Sequence, residues 1–381
     1  MTRHHTALAL VVTLALASFG LSSSVSAQRF GRTSTNGGNQ LLYIGTYAGN
    51  VQIFEEATER QIGEIKLQTG IPRSLVLSFD KKKFYALDST YEKIEIVDIA
   101  SRSTLNTFTL SSGNKKTRIR SLQVDPLERF MILLTRSATK LVDRWEISDV
   151  ALELYDLREK KITRTIPWPG GEVRENVNMR FSPDGKLLYF FGDDILIVET
   201  EKFTEVDTWA LSRPIEQGLG RVSFGAVDDV NDDPGFFTGL FFVQDPVQKR
   251  RIMGVGRVNL AAKSVEFHPI GPAEGVGFAM APDRKRGYGL LQQIGRYEFW
   301  TFDLEQKKLL NRTMFDGRPR MALRVSSNGR LLYVFQAGAT IDVYEASTFK
   351  YLRTIEMNAD QTTNLFILPR SGTTTDTGAS R

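Results

Sequence analysis

Five arginines, Arg73, Arg118, Arg120, Arg221 and Arg320, stand at or beside equivalent positions of a chain that repeats itself. Guanidinium groups gathered on one rim would create a positive potential and offer forked donors that suit a carboxylate, phosphate or sulfate. In the competing reading each pairs with Asp or Glu of a neighbouring repeat, or points into solvent. Glu175, near Arg120 and Arg221 in the same alignment, is the one candidate for a general base beside an oxyanion-stabilising cation. A second cluster reads Asp228-Asp229-Val-Asn231-Asp232-Asp233-Pro-Gly235. Asp229, Asn231 and Asp233 have the alternate spacing of a calcium loop. The glycine falls one place late and no glutamate follows at ligand distance, so a solvated hairpin loop fits better. Arg144 and Trp145 lie in a long connection over residues 136–149 and form a candidate contact pair for a protein partner. The alternative packs Trp145 over a sheet edge. A second long connection spans residues 244–252.

Composition removes several chemistries. The 381-residue chain has no cysteine and three histidines, two of which, His4 and His5, lie in a leader-like segment. A Cys/His zinc site, a c-type haem attachment and a cysteine nucleophile are therefore excluded. A Ser-His-Asp triad would need His268, which sits in the alternating segment Val265-Glu-Phe-His268-Pro-Ile and reads as a surface or strand-end residue. No cofactor is expected. Arg3 to His5 followed by an apolar run over residues 7–21, with Val25 and Ala27 at the small-residue positions, reads as an export signal cleaved before Gln28. The run is too short to span a bilayer, so no membrane insertion is expected after cleavage, and the product is periplasmic or secreted. A net charge of +5 with interspersed signs gives no reason to expect a nucleic-acid partner.

The elements that must carry these residues announce themselves by repetition. Ser78-Phe-Asp-Lys-Lys-Lys-Phe-Tyr85, Ser182-Pro-Asp-Gly-Lys-Leu-Leu-Tyr189 and Ser326-Ser-Asn-Gly-Arg-Leu-Leu-Tyr333 share one pattern, with degraded copies at Asp125 and Ala281. Alternating runs such as Ile94-Glu-Ile-Val-Asp98 and Ile341-Asp-Val-Tyr-Glu345 end on a carboxylate and enter a polar turn, the pattern of antiparallel hairpins. Tyr43, Tyr85, Met131, Tyr189, Phe241, Tyr288 and Tyr333 recur at intervals of 42 to 58 residues, close to the length of a four-stranded propeller blade. The expected fold is thus all-β, a seven-bladed β-propeller of four-stranded antiparallel blades over residues 40–369. Leu41 to Gly45 enters as a second-type strand, so the first blade lacks its innermost strand, and Asn364 to Leu368 is spare to complete it. Residues 220–265 match the repeat poorly. Residues 28–39 read as a linker, and 370–381 as a disordered tail.

The Ser-Pro-Asp-Gly-Lys-Leu-Leu-Tyr phrase and the strand ending Ile-Val-Asp resemble YVTN-type bacterial β-propeller repeats and the lactonase-like and amine-dehydrogenase-like propellers. The resemblance covers nearly the whole mature chain, although one copy alone keeps the full phrase. With the arginine rim it leaves three functions open, the first favoured because the rim offers cations but little mixed acid, base and metal-ligand chemistry. The first is a non-catalytic exported module, a monomer that binds a partner protein or small anionic ligand at the arginine rim. The second is a lactonase-like hydrolase of a sugar-acid lactone. The third is a propeller subunit of a periplasmic redox complex whose redox group belongs to another subunit.

Overall fold

A computed structural model describes residues 36–211, 220–228, 230–317, 321–336 and 338–370. Seven antiparallel sheets follow one another around a ring. The second blade shows the plan, with strands Pro72–Leu77, Lys83–Asp88, Lys93–Asp98 and Ser103–Thr109 running from the innermost strand outward. Among the described residues the helical content is one turn of 3-10 helix, Pro169–Gly171.

The ring closes as the sequence implies. Gln361–Leu368 pairs with Leu41–Thr46 as the innermost strand of the first blade, placing Leu41 opposite Leu368 and Ile44 opposite Leu365. Charged contacts reinforce this seam. Glu56 of the first blade accepts hydrogen bonds from the Ser327 amide and the Tyr333 hydroxyl of the seventh, and Arg353 pairs with Glu59. Closing the circle buries the apolar faces of the first and seventh blades, Leu42 and Phe54 against Tyr333 and Phe335, which an open array would leave exposed.

The repeated phrase is turn chemistry. Ser78, Ser182 and Ser326 each accept a hydrogen bond from the amide five residues on, at 2.9 Å in all three, and donate to Asp80, Asp184 or Asn328. The fourth residue of each turn has positive φ: Gly185 at 68° and Gly329 at 74°, but also Lys81 at 61° and Arg284 at 60°. Glycine occupies that backbone region without steric penalty, so the phrase is complete only where glycine is used. The carboxylates that end the third strands are likewise turn caps. Asp98 accepts from the Ser101 amide and Asp303 from the Gln306 amide, both at 2.7 Å.

The core lies between blades. Apolar residues alternate on both faces of the sheets, and each inter-blade cluster draws from two neighbours, as where Phe84 and Ala86 of the second blade meet Tyr43 and Phe366 of the first. The poorly matching region completes the count of seven, and one expectation needs correction. Residues 220–265 form a regular fifth blade, Val222–Val227, Phe236–Asp245, Arg250–Asn259 and Ser264–Pro272. Its repeat is hidden because glycine replaces side chains where aromatic rings need room: a Cβ at Gly256 would come within 2.2 Å of Phe241. Residues 244–252 are correspondingly no insertion. They hold two strand ends and a tight turn, whose Val247 and Gln248 amides donate to Asp245, each at 3.0 Å.

Candidate functional site

The other supposed loop, residues 136–149, is also largely strand. The innermost strand of the third blade, Lys115–Val124, has ten residues against six in the second blade. Its partner Phe130–Lys140 runs the full length beside it, then turns so that Trp145–Ile147 pairs back as an extra strand. Hydrogen bonding thus continues past the usual end of the blade, and a three-stranded tongue projects from it. Register and period-two alternation decide what the tongue displays. Lys116 lies opposite Ala138, which lies opposite Ile147; Arg118 lies opposite Arg136; Lys140 lies opposite Trp145. These residues share one face.

That face forms one wall of a groove of ≈ 790 Å³, also lined by Arg120, by Tyr91 and Glu92 of the second blade, and by Asn176 leading into the fourth. Asp88, almost fully buried, positions the second-blade contribution by accepting the Glu92 and Lys93 amides at 2.9 and 2.8 Å. The Tyr91 carbonyl accepts the Ile119 amide at 2.7 Å, tying the turn to the third blade. Arg73 reaches the groove indirectly: its Nε donates to the Tyr91 hydroxyl at 2.9 Å. Arg73 and Arg120 are structural equivalents, each being the residue skipped where the inner strand bulges against its partner.

The groove's charges do not balance. Lys116, Arg118, Arg120 and Arg136 face two carboxylates. Glu92 pairs with Lys116 at 3.3 Å. Glu175 pairs with both Arg120 and Arg136, and Arg136 Nη1 lies 3.2 Å from each of its carboxylate oxygens. Two positive charges remain in excess. Arg118 and Arg136 are directly opposite across the strand pair, an arrangement that costs stability when both carry the same charge. Beside these cations, on the same face, lie two apolar side chains: Trp145 is 55% exposed and Ile147 62% exposed.

The expected single rim of arginines is thus divided. Arg118 and Arg120 line the groove, with Arg73 one side chain away. Arg221 lies elsewhere, paired with Asp193 at 2.5 Å beside a separate cavity of ≈ 560 Å³ that includes Arg251. Arg320 lies outside the described residues. Glu175 meets Arg120 and Arg136 instead of Arg120 and Arg221, because the tongue carries Arg136 into the position. Trp145 joins the arginine groove, whereas exposed Arg144 is engaged by its neighbour Asp143 at 3.2 Å. Sequence reading missed Tyr91, Lys116, Arg136 and Ile147. The alternation Lys116-Thr-Arg118-Ile-Arg120 is a signal for the first basic face, but Arg136 needs the strand register.

The acidic run has a different character. Asp228 is buried and accepts from the Met280 amide at 3.0 Å, the Val230 amide at 3.1 Å and the Asn231 side chain at 3.2 Å. Asn231 also donates to the Met280 carbonyl at 3.2 Å. Asp233 pairs with Arg257 at 3.2 Å and with Arg284 of the sixth blade. Asp229 lies outside the described residues. Asn231 and Asp233 therefore serve as staples between the fifth and sixth blades. His268 is exposed on the outermost strand Ser264–Pro272.

No protein-family model matches the chain, and no curated protein matches it by sequence. Solved structures do. The chain is similar in fold to dihydro-heme d1 dehydrogenase NirN in complex with DHE, at 12% identity over 86% of this chain and 75% of that one, TM-score 0.51. It is also similar to a functionally unknown protein from Desulfotomaculum acetoxidans, at 12% identity over 87% of this chain and 99% of that one, TM-score 0.52. Hydrazine synthase from Kuenenia stuttgartiensis matches at 13% identity over 87% and 99%, TM-score 0.47. At these identities the likeness is one of fold. Among the described residues no helix is long and apolar enough to cross a membrane.

Proposed function

We propose that this chain is an exported, non-catalytic β-propeller of the YVTN-like kind that acts as a binding module, holding an acidic segment of a partner protein in the groove beside the third blade. The observation that carries this reading is the Arg118–Arg136 pair, two like charges set directly across a strand pair and left with an excess of positive charge beside exposed Trp145 and Ile147. Such an arrangement is unfavourable in the free protein and becomes favourable when carboxylates arrive. Its amphipathic character selects the ligand: acidic side chains against the arginines, with aliphatic or aromatic side chains against Trp145 and Ile147 beside them.

A macromolecular partner is favoured over a small acid because apolar exposure continues past the groove to Val142 at the tip of the tongue. Catalysis finds less support. Glu175, the one base the sequence offers, has its carboxylate occupied by two guanidinium groups, which leaves it badly placed to take a proton from a substrate.

The test is fluorescence anisotropy with a labelled peptide of alternating Glu and Phe or Leu, set against the same peptide with Lys for Glu. Binding of the acidic peptide alone, weakened by salt and by R118Q, is the expected result. Equal binding of the two peptides, or indifference to R118Q, would sink the proposal. Export is tested separately by mass spectrometry of the mature protein, which should begin at Gln28.

A further inference from the structure

The groove is not empty of carboxylate, and one of the two it holds, Glu175, is tied to it weakly. Glu175 sits in residues 172–177, which form neither strand nor helix. This connection is anchored upstream, where Trp168 Nε1 donates to the Val150 carbonyl at 3.1 Å and the Gly170 amide donates to Glu205 at 3.0 Å. Downstream it is anchored where the strand Asn178–Phe181 begins. Between the anchors, the Glu175 side chain reaches over the groove to Arg120 and Arg136 while remaining 58% exposed. An ion pair so exposed contributes little stability, because water and salt screen it. Its geometry is nevertheless selective: one planar carboxylate is met by both guanidinium groups, with Arg136 contacting both oxygens at 3.2 Å.

We infer that Glu175 is a tethered stand-in for the partner's carboxylate, so that the groove competes with itself and the residue it selects in a partner is an Asp or Glu side chain. The inference rests on the binding reading above. Binding then proceeds by exchange: the incoming carboxylate takes the seat between Arg120 and Arg136, and Glu175 swings into solvent on its unstructured connection. Arg118, which has no ion pair among those found for the described residues, is free to take a second carboxylate of the same segment. The tie lowers apparent affinity by the fraction of time the seat is occupied from within.

The experiment compares E175Q with E92Q in the full chain, using the same acidic peptide. Both variants add one positive charge to the groove, but E92Q frees Lys116, whereas E175Q vacates the two-arginine seat. Expected is about a fivefold gain in affinity for E175Q, and less than about twofold for E92Q. Unaltered thermal melting of both variants confirms that they fold, and E175A should repeat the gain of E175Q. Equal gains from E175Q and E92Q would mean that only net charge matters and would overturn the stand-in role. So would unchanged or weaker binding by E175Q while the natural chain still binds. If neither the natural chain nor any variant binds, the binding reading itself fails and the inference falls with it. Competition by N-acetylglutamate that inorganic phosphate does not reproduce supports the carboxylate seat; displacement by phosphate alone overturns it.

Discussion

The tongue of the third blade and the acidic loop of the fifth are both charge-rich departures from the repeat, yet their charges end in opposite states. In the acidic loop the charges of two aspartates hold the fold: buried Asp228 gathers amides from its own turn and from Met280, and Asp233 bridges to Arg257 and Arg284. In the groove beside the tongue, four cations meet two carboxylates, and two arginines oppose each other across a strand pair. The first region spends its charge on holding blades together. The second keeps a surplus that has value only to something outside the chain. A cluster of like charges is therefore ambiguous until its partners are counted, and the count can be made only in three dimensions.

The largest separation between the two regions should come from Asp228→Ala. It leaves the Met280 amide unsatisfied at a buried seam, so unfolding in denaturant should show a loss of about 2–3 kcal/mol, with peptide affinity unchanged in the folded fraction. A loss below about 1 kcal/mol would show that the loop is not the staple described. Trp145→Ala should invert that result. Stability should stay within about 0.5 kcal/mol because the ring is exposed, while affinity for the acidic peptide falls by about 30-fold. If the melting temperature drops sharply, Trp145 packs against its own blade and the comparison fails on that side.

Arg118→Gln is a subtler probe. Relieving the opposition to Arg136 should leave stability unchanged or raise it by about 0.5 kcal/mol, while peptide affinity drops about tenfold. Destabilisation instead would mean that Arg118 is part of the fold's own charge balance.

The smallest effect concerns a carboxylate satisfied entirely by its own turn. Glu199 accepts the Lys202 and Glu201 amides at 3.0 and 2.8 Å, and these bonds, the Lys202 amide foremost, hold its pKa down from the ordinary 4.5 to about 2. The folded value lies below the unfolded one, so its contribution is complete above about pH 4.5 and is lost as pH falls through about 2. The stability deficit of Glu199→Gln should therefore be constant above about pH 5, shrink as pH falls from there toward about 2, and vanish below that. A deficit independent of pH would remove the charge from the explanation.

How much was legible follows from which interactions are local. The serine turns, the carboxylate caps and the alternating strands are written within eight or nine consecutive residues, so they could be read and counted into seven blades. The fifth blade was legible only through Phe241, because Gly239, Gly254 and Gly256 replace its pattern residues, and their reason, close packing against strands and rings, lies on neighbouring strands. At the groove, Arg118, Arg120 and Trp145 were visible as residue types in suggestive places. Arg136 was not, since nothing local says that it opposes Arg118.

By itself the sequence determined the ring: its repeat, its blade count and the vacancy at the start that the last strand fills, because each blade's pattern is short-range and every blade must bury both faces against neighbours. Only the tertiary structure decided which charges are spent and which are left over. Strand register placed Arg136 against Arg118, and the path of the connection between the third and fourth blades brought Glu175 to both Arg120 and Arg136. Electrostatic energy depends on distances between residues far apart in the chain, and those distances do not exist until the ring has closed.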